Sequence, residues 1–161
     1  AKAGHVLLSL GGTHTPLLAR IRAILARAFP AIDCEWRGPA TDGPVPPLGQ
    51  ALQSADIGIL AGGTSLHEAA ATGLPTLCVP IVANQLDRAE QFESVGLGLS
   101  LNPEDPGFDR HFEAEWSGLN ADAGRREAME QTGQAMGDGV GAGRGARHLL
   151  GRFGVRVVEA P

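Results

Sequence analysis

The stretch from Asp56 to Asp87, DIGILAGGTSLHEAAATGLPTLCVPIVANQLD, leaves the chain few folds to choose from. An apolar run stops at a double glycine, a helix pattern opens with Thr64 and Ser65, Gly73 and Pro75 close it, and a second apolar run ends at Pro80. The runs are continuous rather than alternating, which implies strands covered on both faces. Strand, helix and strand in succession imply a right-handed crossover and a parallel sheet. The turn between the first strand and the helix offers free backbone N–H groups and a helix N-terminus, both of which attract anions such as phosphate. Glu68, on the first helical turn, is placed to accept hydrogen bonds from sugar hydroxyls. Together these features suggest a nucleotide-sugar site.

The rest of the chain repeats the pattern. A strand over His5–Leu10 runs into a second double glycine, Gly11 and Gly12, then a helix from Pro16 to Ala28 with Leu17, Leu18, Ile21, Ile24 and Leu25 at helical spacing. Thr15 suits the N-cap and Pro16 the first helical position. A second strand is expected at Ile32–Trp36, a short helix at Pro47–Ser54, strands at Ile57–Ala61 and Thr76–Val79, a helix at Gln85–Val95 and a weaker strand at Gly98–Leu101. The fold class is therefore α/β, a doubly wound, Rossmann-like parallel sheet, with its ligand at the carboxyl ends of the strands. Phe108, Phe112 and Trp116 recur every fourth residue and read as a packing stripe, as do Met129 and Met136 on a helix over Asp122–Met136. The glycine-rich residues 133–145 read as a loop before a last helix near Ala146–Leu150, and the GVRVV that follows reads as an edge strand or an extension.

A length of 161 residues fits one domain, spanning 1–161, with a substantial core. A formal charge of −5 with no run of Lys or Arg argues against nucleic acid as a partner. No apolar stretch approaches the roughly 20 residues of a spanning helix and no signal peptide is visible, so the chain is expected to be cytoplasmic. Cys34 and Cys78 fall in expected strands and read as buried, reduced thiols.

The candidate ligand contacts are Gly12, Thr13, Gly63, Thr64, Ser65, Glu68, Asn84 and Gln85. Each has a second reading. Ser65 and Glu68 form a Ser-x-x-Glu capping box. Thr13 and Thr64 could simply form turns, Asn84 could be an N-cap, and Gln85 a solvated first-turn residue. Gly11, Gly62 and Gly63 suit close backbone approach or positive φ. His14 and His67 fall on the same expected edge, but without further ligands at metal spacing no metal site is expected. His5, His111 and His148 read as surface or structural residues. No cofactor and no catalytic residue are assigned.

GGTSLHEAAATGLPTLCVPIVANQ resembles the nucleotide-binding half of GT-B glycosyltransferases, in the branch that includes the peptidoglycan N-acetylglucosaminyl transferase. It is still more similar to the UDP-sugar hydrolase of pseudaminic acid biosynthesis. That family has a first strand ending in Gly-Gly-Ser-Asp, matched by Gly11 to His14, and a Gly-Gly-Ser/Thr-x-x-x-Glu turn, matched by Gly62 to Glu68. It also has Gly-Leu-Pro, matched by Gly73 to Pro75, Asn-Gln at Asn84 and Gln85, and a glycine-rich Asp-Gly-Arg-Gly segment, matched by Asp138 to Arg144. His14 stands where the family has Asp and Val140 where it has Arg.

The resemblance implies the C-terminal half of a GT-B fold that binds UDP or a UDP-amino sugar. In that family Glu68 would hold the ribose, Thr13, Thr64 and Ser65 the diphosphate, and Asn84 and Gln85 the donor sugar. The substrate would lie in a cleft against an N-terminal domain, on the same or a separate chain, which carries the hydrolase's catalytic histidine. Alone, this half is expected to bind nucleotide without efficient chemistry. A donor-binding subunit of a two-chain transferase and a non-catalytic nucleotide-binding module are the alternatives.

Overall fold

The computed structural model describes residues 3–11, 15–37 and 47–137, together with Gly143, Arg144, Arg147, His148 and Arg152. Its strands are β1 (His5–Ser9), β2 (Asp33–Arg37), β3 (Ile57–Leu60), β4 (Thr76–Cys78) and β5 (Gly98–Ser100). Its helices are α1 (Thr15–Ala28), α2 (Leu48–Ser54), α3 (Ser65–Thr72), α4 (Leu86–Ser94), α5 (Phe108–Ala121) and α6 (Ala123–Met136). All pairings are parallel, in the order β2-β1-β3-β4-β5. The doubly wound parallel fold read from the sequence is the fold observed, and every strand lies within a residue or so of its expected place.

The continuous apolar strands are buried because helices cover both faces. On one face Val6, Leu8, Ile57, Ile59 and Val79 meet α1 and α5. On the other, Leu7, Leu60 and Cys78 meet Ala51 and Leu52 of α2, Leu66 and Ala69 of α3, and Phe92 of α4. The expected stripe on α5 is a packing face: Phe108, Phe112 and Trp116 are buried, and Trp116 takes the edge of Phe29 at 5.8 Å between ring centroids. Each of the two phenylalanines contributes about 1.5–3 kcal/mol by leaving water. Arg20 lies over the Phe108 ring at 4.7 Å and bonds Asp109 at 2.7 Å, tying α1 to α5.

Helix α6 runs to Met136, the end of the helix expected over Asp122–Met136. Asp122 caps it by accepting the Arg125 N–H at 3.0 Å. It then packs on the last turn of α3, where a Cβ on Gly133 would stand 2.5 Å from the Ala70 carbonyl oxygen. Gly133 therefore belongs inside a helix, at a close crossing: where the expected helix to Met136 and the expected loop over 133–145 overlap, residues 133–136 are helical. Gly143 and Arg144 are also helical, ahead of the expected start at Ala146, and Arg147 and His148 are helical as expected. Met129 is buried, but Met136 is 60% exposed and does not share the packing stripe. Residues 138–142 and the GVRVV segment lie outside the described residues.

Other expectations shift in detail. Cys78 is buried in β4, whereas Cys34 in β2 is only half-buried, because β2 is an edge strand; both are free. Helix α4 begins at Leu86, behind a 3-10 turn over Ala83–Gln85. His5 is structural: its ring nitrogens face Asp33 at 3.2 Å and Glu35 at 3.5 Å across the β1–β2 pair.

Asp56, just before β3, accepts the backbone N–H groups of Gly4 and His5 at 2.8 and 2.9 Å and fixes the start of β1. The bond from His5 holds its carboxyl below the usual carboxylate range against the opposing effect of burial, and the bond from Gly4 adds a lesser lowering. A lowered folded-state pKa gives stability that is present above about pH 4 and lost as pH falls through the folded value. Because the carboxylate is largely solvated, Asp56→Ala is expected to cost only about 1 kcal/mol near neutrality. Urea unfolding of both proteins at pH 7 and pH 3 should show that difference shrinking on acidification.

Candidate functional site

The chain leaves β1 to one side, for β2, and returns across it to β3, so the crossovers diverge at the adjacent carboxyl ends of β1 and β3. Parallel α/β sheets open a crevice at such a switch point. Both glycine turns arrive there, Gly11 after β1 and Gly62–Gly63 after β3. Gly12, Thr13 and His14 lie outside the described residues.

The three described glycines do different things. Gly11 has φ +76°, which L side chains seldom adopt. Gly62 permits a close approach: a Cβ there would stand 2.7 Å from the Cβ of Gln85 and 3.0 Å from its carbonyl oxygen. At Gly63 the nearest atom to such a Cβ would be the Gln85 side-chain nitrogen, at 4.0 Å. Neither Gly62 nor Gly63 has positive φ.

Thr64 is the N-cap of α3, with φ −64° and ψ −25°, and its side chain makes no capping bond. The Ser65–Glu68 capping box does not form, because the helix begins at Ser65 and its cap position falls one residue earlier. Leu66 N–H reaches back to Gly63 and His67 N–H to Thr64, at 3.3 and 3.0 Å. The N–H groups ahead of them are those a helix leaves without an internal acceptor. Thr64, His67 and Glu68 are exposed and Ser65 is half-buried.

Gln85 is more than a solvated first-turn residue. Its Oε1 accepts the Ile81 N–H at 2.9 Å, which pins the chain leaving β4 and turns the amide's NH2 toward the Gly63 turn. Asn84 is exposed inside the 3-10 turn and holds neither neighbouring N-cap position, which fall to Val82 and Gln85. The alternative of Asn84 as an N-cap is therefore not realised.

Two basic residues escaped the sequence reading. Arg88, on the first turn of α4, donates from Nη1 to the Gly62 carbonyl at 3.0 Å and brings a positive charge to the turn. Arg37 ends β2 beside Ser9; its Nε bonds Glu35 at 2.9 Å, and its Nη2 is buried with no partner among the described residues. Only the spacing of Arg88, one helical turn after Gln85, could have signalled the first, and nothing in the local sequence marks the second.

Glu68 and Arg88 border a groove of about 760 Å³ with Leu66, Phe92 and Met136. A second groove, of about 690 Å³, opens beyond Ile81 between Pro16, Leu17, Val82, Leu86 and Pro103. Burial pushes the Cys78 thiol up to about 12, so it is no nucleophile. Among the described residues no group of three or more His, Cys, Asp or Glu could hold a metal ion, and no helix is long and apolar enough to cross a membrane.

No family model and no curated protein matches the chain. Solved structures do. The spinosyn rhamnosyltransferase SpnG, complexed with spinosyn aglycone, superposes with a TM-score of 0.70 at 22% identity, over 91% of this chain and 46% of that one. The calicheamicin glycosyltransferase CalG4 superposes with a TM-score of 0.62 at 26% identity, over 94% and 44%. The Streptomyces sp. SF2575 glycosyltransferase SsfS6, complexed with thymidine diphosphate, gives 0.63 at 17%, over 84% and 38%. The chain thus spans less than half the length of these structures.

Gly62 and Gly63 should separate on substitution. Gly62→Ala forces Gln85 or the backbone to move and is expected to cost about 1–3 kcal/mol. Gly63→Ala, with open space and ordinary φ, should stay within about 0.5 kcal/mol of the parent in chemical denaturation.

Fold and neighbours agree that this chain has the architecture of one α/β half of a GT-B glycosyltransferase.

Proposed function

We propose that the chain is the donor-binding, C-terminal half of a nucleotide-sugar glycosyltransferase and holds a pyrimidine nucleoside diphosphate across the β1/β3 switch point. The observation that carries this reading is the meeting of Gly11 and Gly62–Gly63 on neighbouring carboxyl ends, with the uncapped start of α3 between them and the crevice. N–H groups at a helix start bind phosphate without any further device. The diphosphate is held by the Gly63, Thr64 and Ser65 turn and by Gly12 and Thr13, which follow Gly11 in the sequence, with Arg88 supplying charge. Glu68 takes the ribose hydroxyls, its carboxylate being able to accept two hydrogen bonds at once. Asn84 and Gln85 face the donor sugar.

In transfer, the bond between the anomeric carbon and the β-phosphate oxygen breaks and the nucleoside diphosphate leaves with its negative charge. Preorganised donors aimed at that charge are worth most where water is excluded. This half therefore serves the leaving group. A partner domain or chain supplies the acceptor and its activation, in the cytoplasm where the donor is held to reside. Thymidine diphosphate in SsfS6 and in a second SpnG complex supports the pyrimidine choice. The Asn-Gln pair and the Gly-Leu-Pro segment favour a second reading, the same half of a UDP-amino-sugar hydrolase with water as acceptor.

Calorimetry with UDP and TDP tests the binding step. Glu68→Ala and Glu68→Gln should weaken UDP roughly ten- to hundredfold, the worth of a charge-assisted hydrogen bond. Melting should barely change, since Glu68 caps nothing. Binding of neither nucleotide would overturn the function, and unchanged UDP affinity in both variants would overturn the ribose assignment. Turnover of a UDP-sugar by the chain alone should not exceed that of Glu68→Ala.

A further inference from the structure

The peptide that joins Gly62 to Gly63 has two orientations open to it. Neither residue has a side chain to fix the plane, so the peptide can turn over at little cost to its neighbours. In one orientation the Gly63 N–H faces the crevice; in the other the Gly62 carbonyl oxygen does, and an anion would be repelled. The structure makes the choice from outside the turn. Gly62 is buried, and its carbonyl accepts from Nη1 of Arg88 at 3.0 Å, which gives a buried acceptor the donor it needs. Arg88 itself is exposed, and among the described residues no carboxylate pairs with it, so the Gly62 carbonyl is what holds its guanidinium.

From this geometry we infer that Arg88 is a positioning residue: by holding the Gly62 carbonyl it aims the Gly63 N–H at the diphosphate, an inference that rests on the nucleotide reading of the site. The peptide is trans, and the C=O and N–H of a trans peptide point in opposite directions. Strand β3 lies between β1 and β4, and α4 follows β4, so Arg88 reaches the turn from the β4 side. A carbonyl drawn toward α4 leaves the N–H facing the other way, toward β1 and the Gly11 turn, which is where the crevice opens. The backbone agrees with this orientation. Turning the plane over would swing φ of Gly63 by about 180°, toward positive values, as it does between the two common turn types. In the structure φ of Gly63 is not positive. Arg88 thus selects, by one bond to a neutral carbonyl, the donor state of a peptide that two glycines leave undecided.

Loss of charge and loss of orientation would both weaken phosphate binding, and a second substitution separates them. Alanine at position 63 disfavours positive φ and so holds the plane without help from Arg88. Methionine at position 88 keeps a long stem but has neither charge nor donor. The experiment is calorimetry of the full chain with UDP and inorganic pyrophosphate on the parent, Arg88→Met, Gly63→Ala and the double variant. Arg88→Met should weaken both ligands at least about tenfold relative to the parent. Measured against Gly63→Ala, the same change should cost no more than about threefold. An equal loss in both backgrounds assigns Arg88 to charge and overturns the inference, and so does an Arg88→Met protein that melts lower but binds as the parent does. In the ligand-free chain the nitrogen-15 amide signal of residue 63 should be single in the parent, doubled or broadened in Arg88→Met, and single again in the double variant. One sharp signal throughout also overturns the inference. A parent that binds neither UDP nor pyrophosphate overturns the nucleotide reading, while the amide signals still decide whether Arg88 sets the peptide, so the two failures are distinguishable.

Discussion

The parallel pairing of β1 with β3, Val6 on Ile57 through Ser9 on Leu60, is the constraint from which the rest of the molecule follows. These strands are not consecutive, so the chain must pass out to β2 and back over β1 to make the pair. Right-handed crossovers then put α1 on one face and α2 on the other. The same divergence leaves a crevice at the carboxyl ends where no connection runs. Burial on both faces holds the pair: Val6, Leu7, Leu8, Ile57, Ile59 and Leu60 are all fully buried. The crevice is thus a by-product of satisfying the sheet, and the glycine turns are what the chain adds to it.

The two edges of the sheet are treated differently. At the amino edge the molecule is tied shut: Asp56 holds Gly4 and His5, Asn120 accepts the Ala3 N–H at 2.9 Å, and Arg126 donates to the carbonyls ending α5. Gly73 closes α3 in the left-handed conformation with its N–H returned to Ala69 and Ala70, and Gly133 of α6 packs against the same turn. Side-chain bonds close the amino edge, while at the carboxyl edge Gln85 and Arg88 brace the Gly62–Gly63 turn and Thr64 leaves the start of α3 without a side-chain cap of its own.

Most of the fold was legible because it rests on local signals. Apolar runs such as IGIL and TLCV, closed by glycine or proline, mark covered strands whatever surrounds them, and the four-residue spacing of Phe108, Phe112 and Trp116 marks a packed helix face. At residues 133–136 two sequence readings overlapped, a helix to Met136 and a glycine-rich loop, and the contact of Gly133 with Ala70, far away in sequence, goes with the helix. The site was legible only in part, for the same reason. Gly62–Gly63 and Glu68 announce themselves within one turn-and-helix motif. Arg88 gains its meaning from a bond to Gly62, which has no trace in neighbouring residues.

Gln85 has a consequence for how little chemistry separates an attracting edge from a repelling one. Its oxygen is committed to the Ile81 N–H, so its nitrogen is the atom left beside the Gly63 turn. A glutamate at this position would have the same size and could keep the same bond to Ile81. It would, however, exchange a donor for an oxygen sharing a full negative charge, set against the N–H groups at the start of α3 and the guanidinium of Arg88. The polarity of the crevice therefore hangs on the difference between an amide and its acid, a change of one heavy atom that neither packing nor the sheet would register.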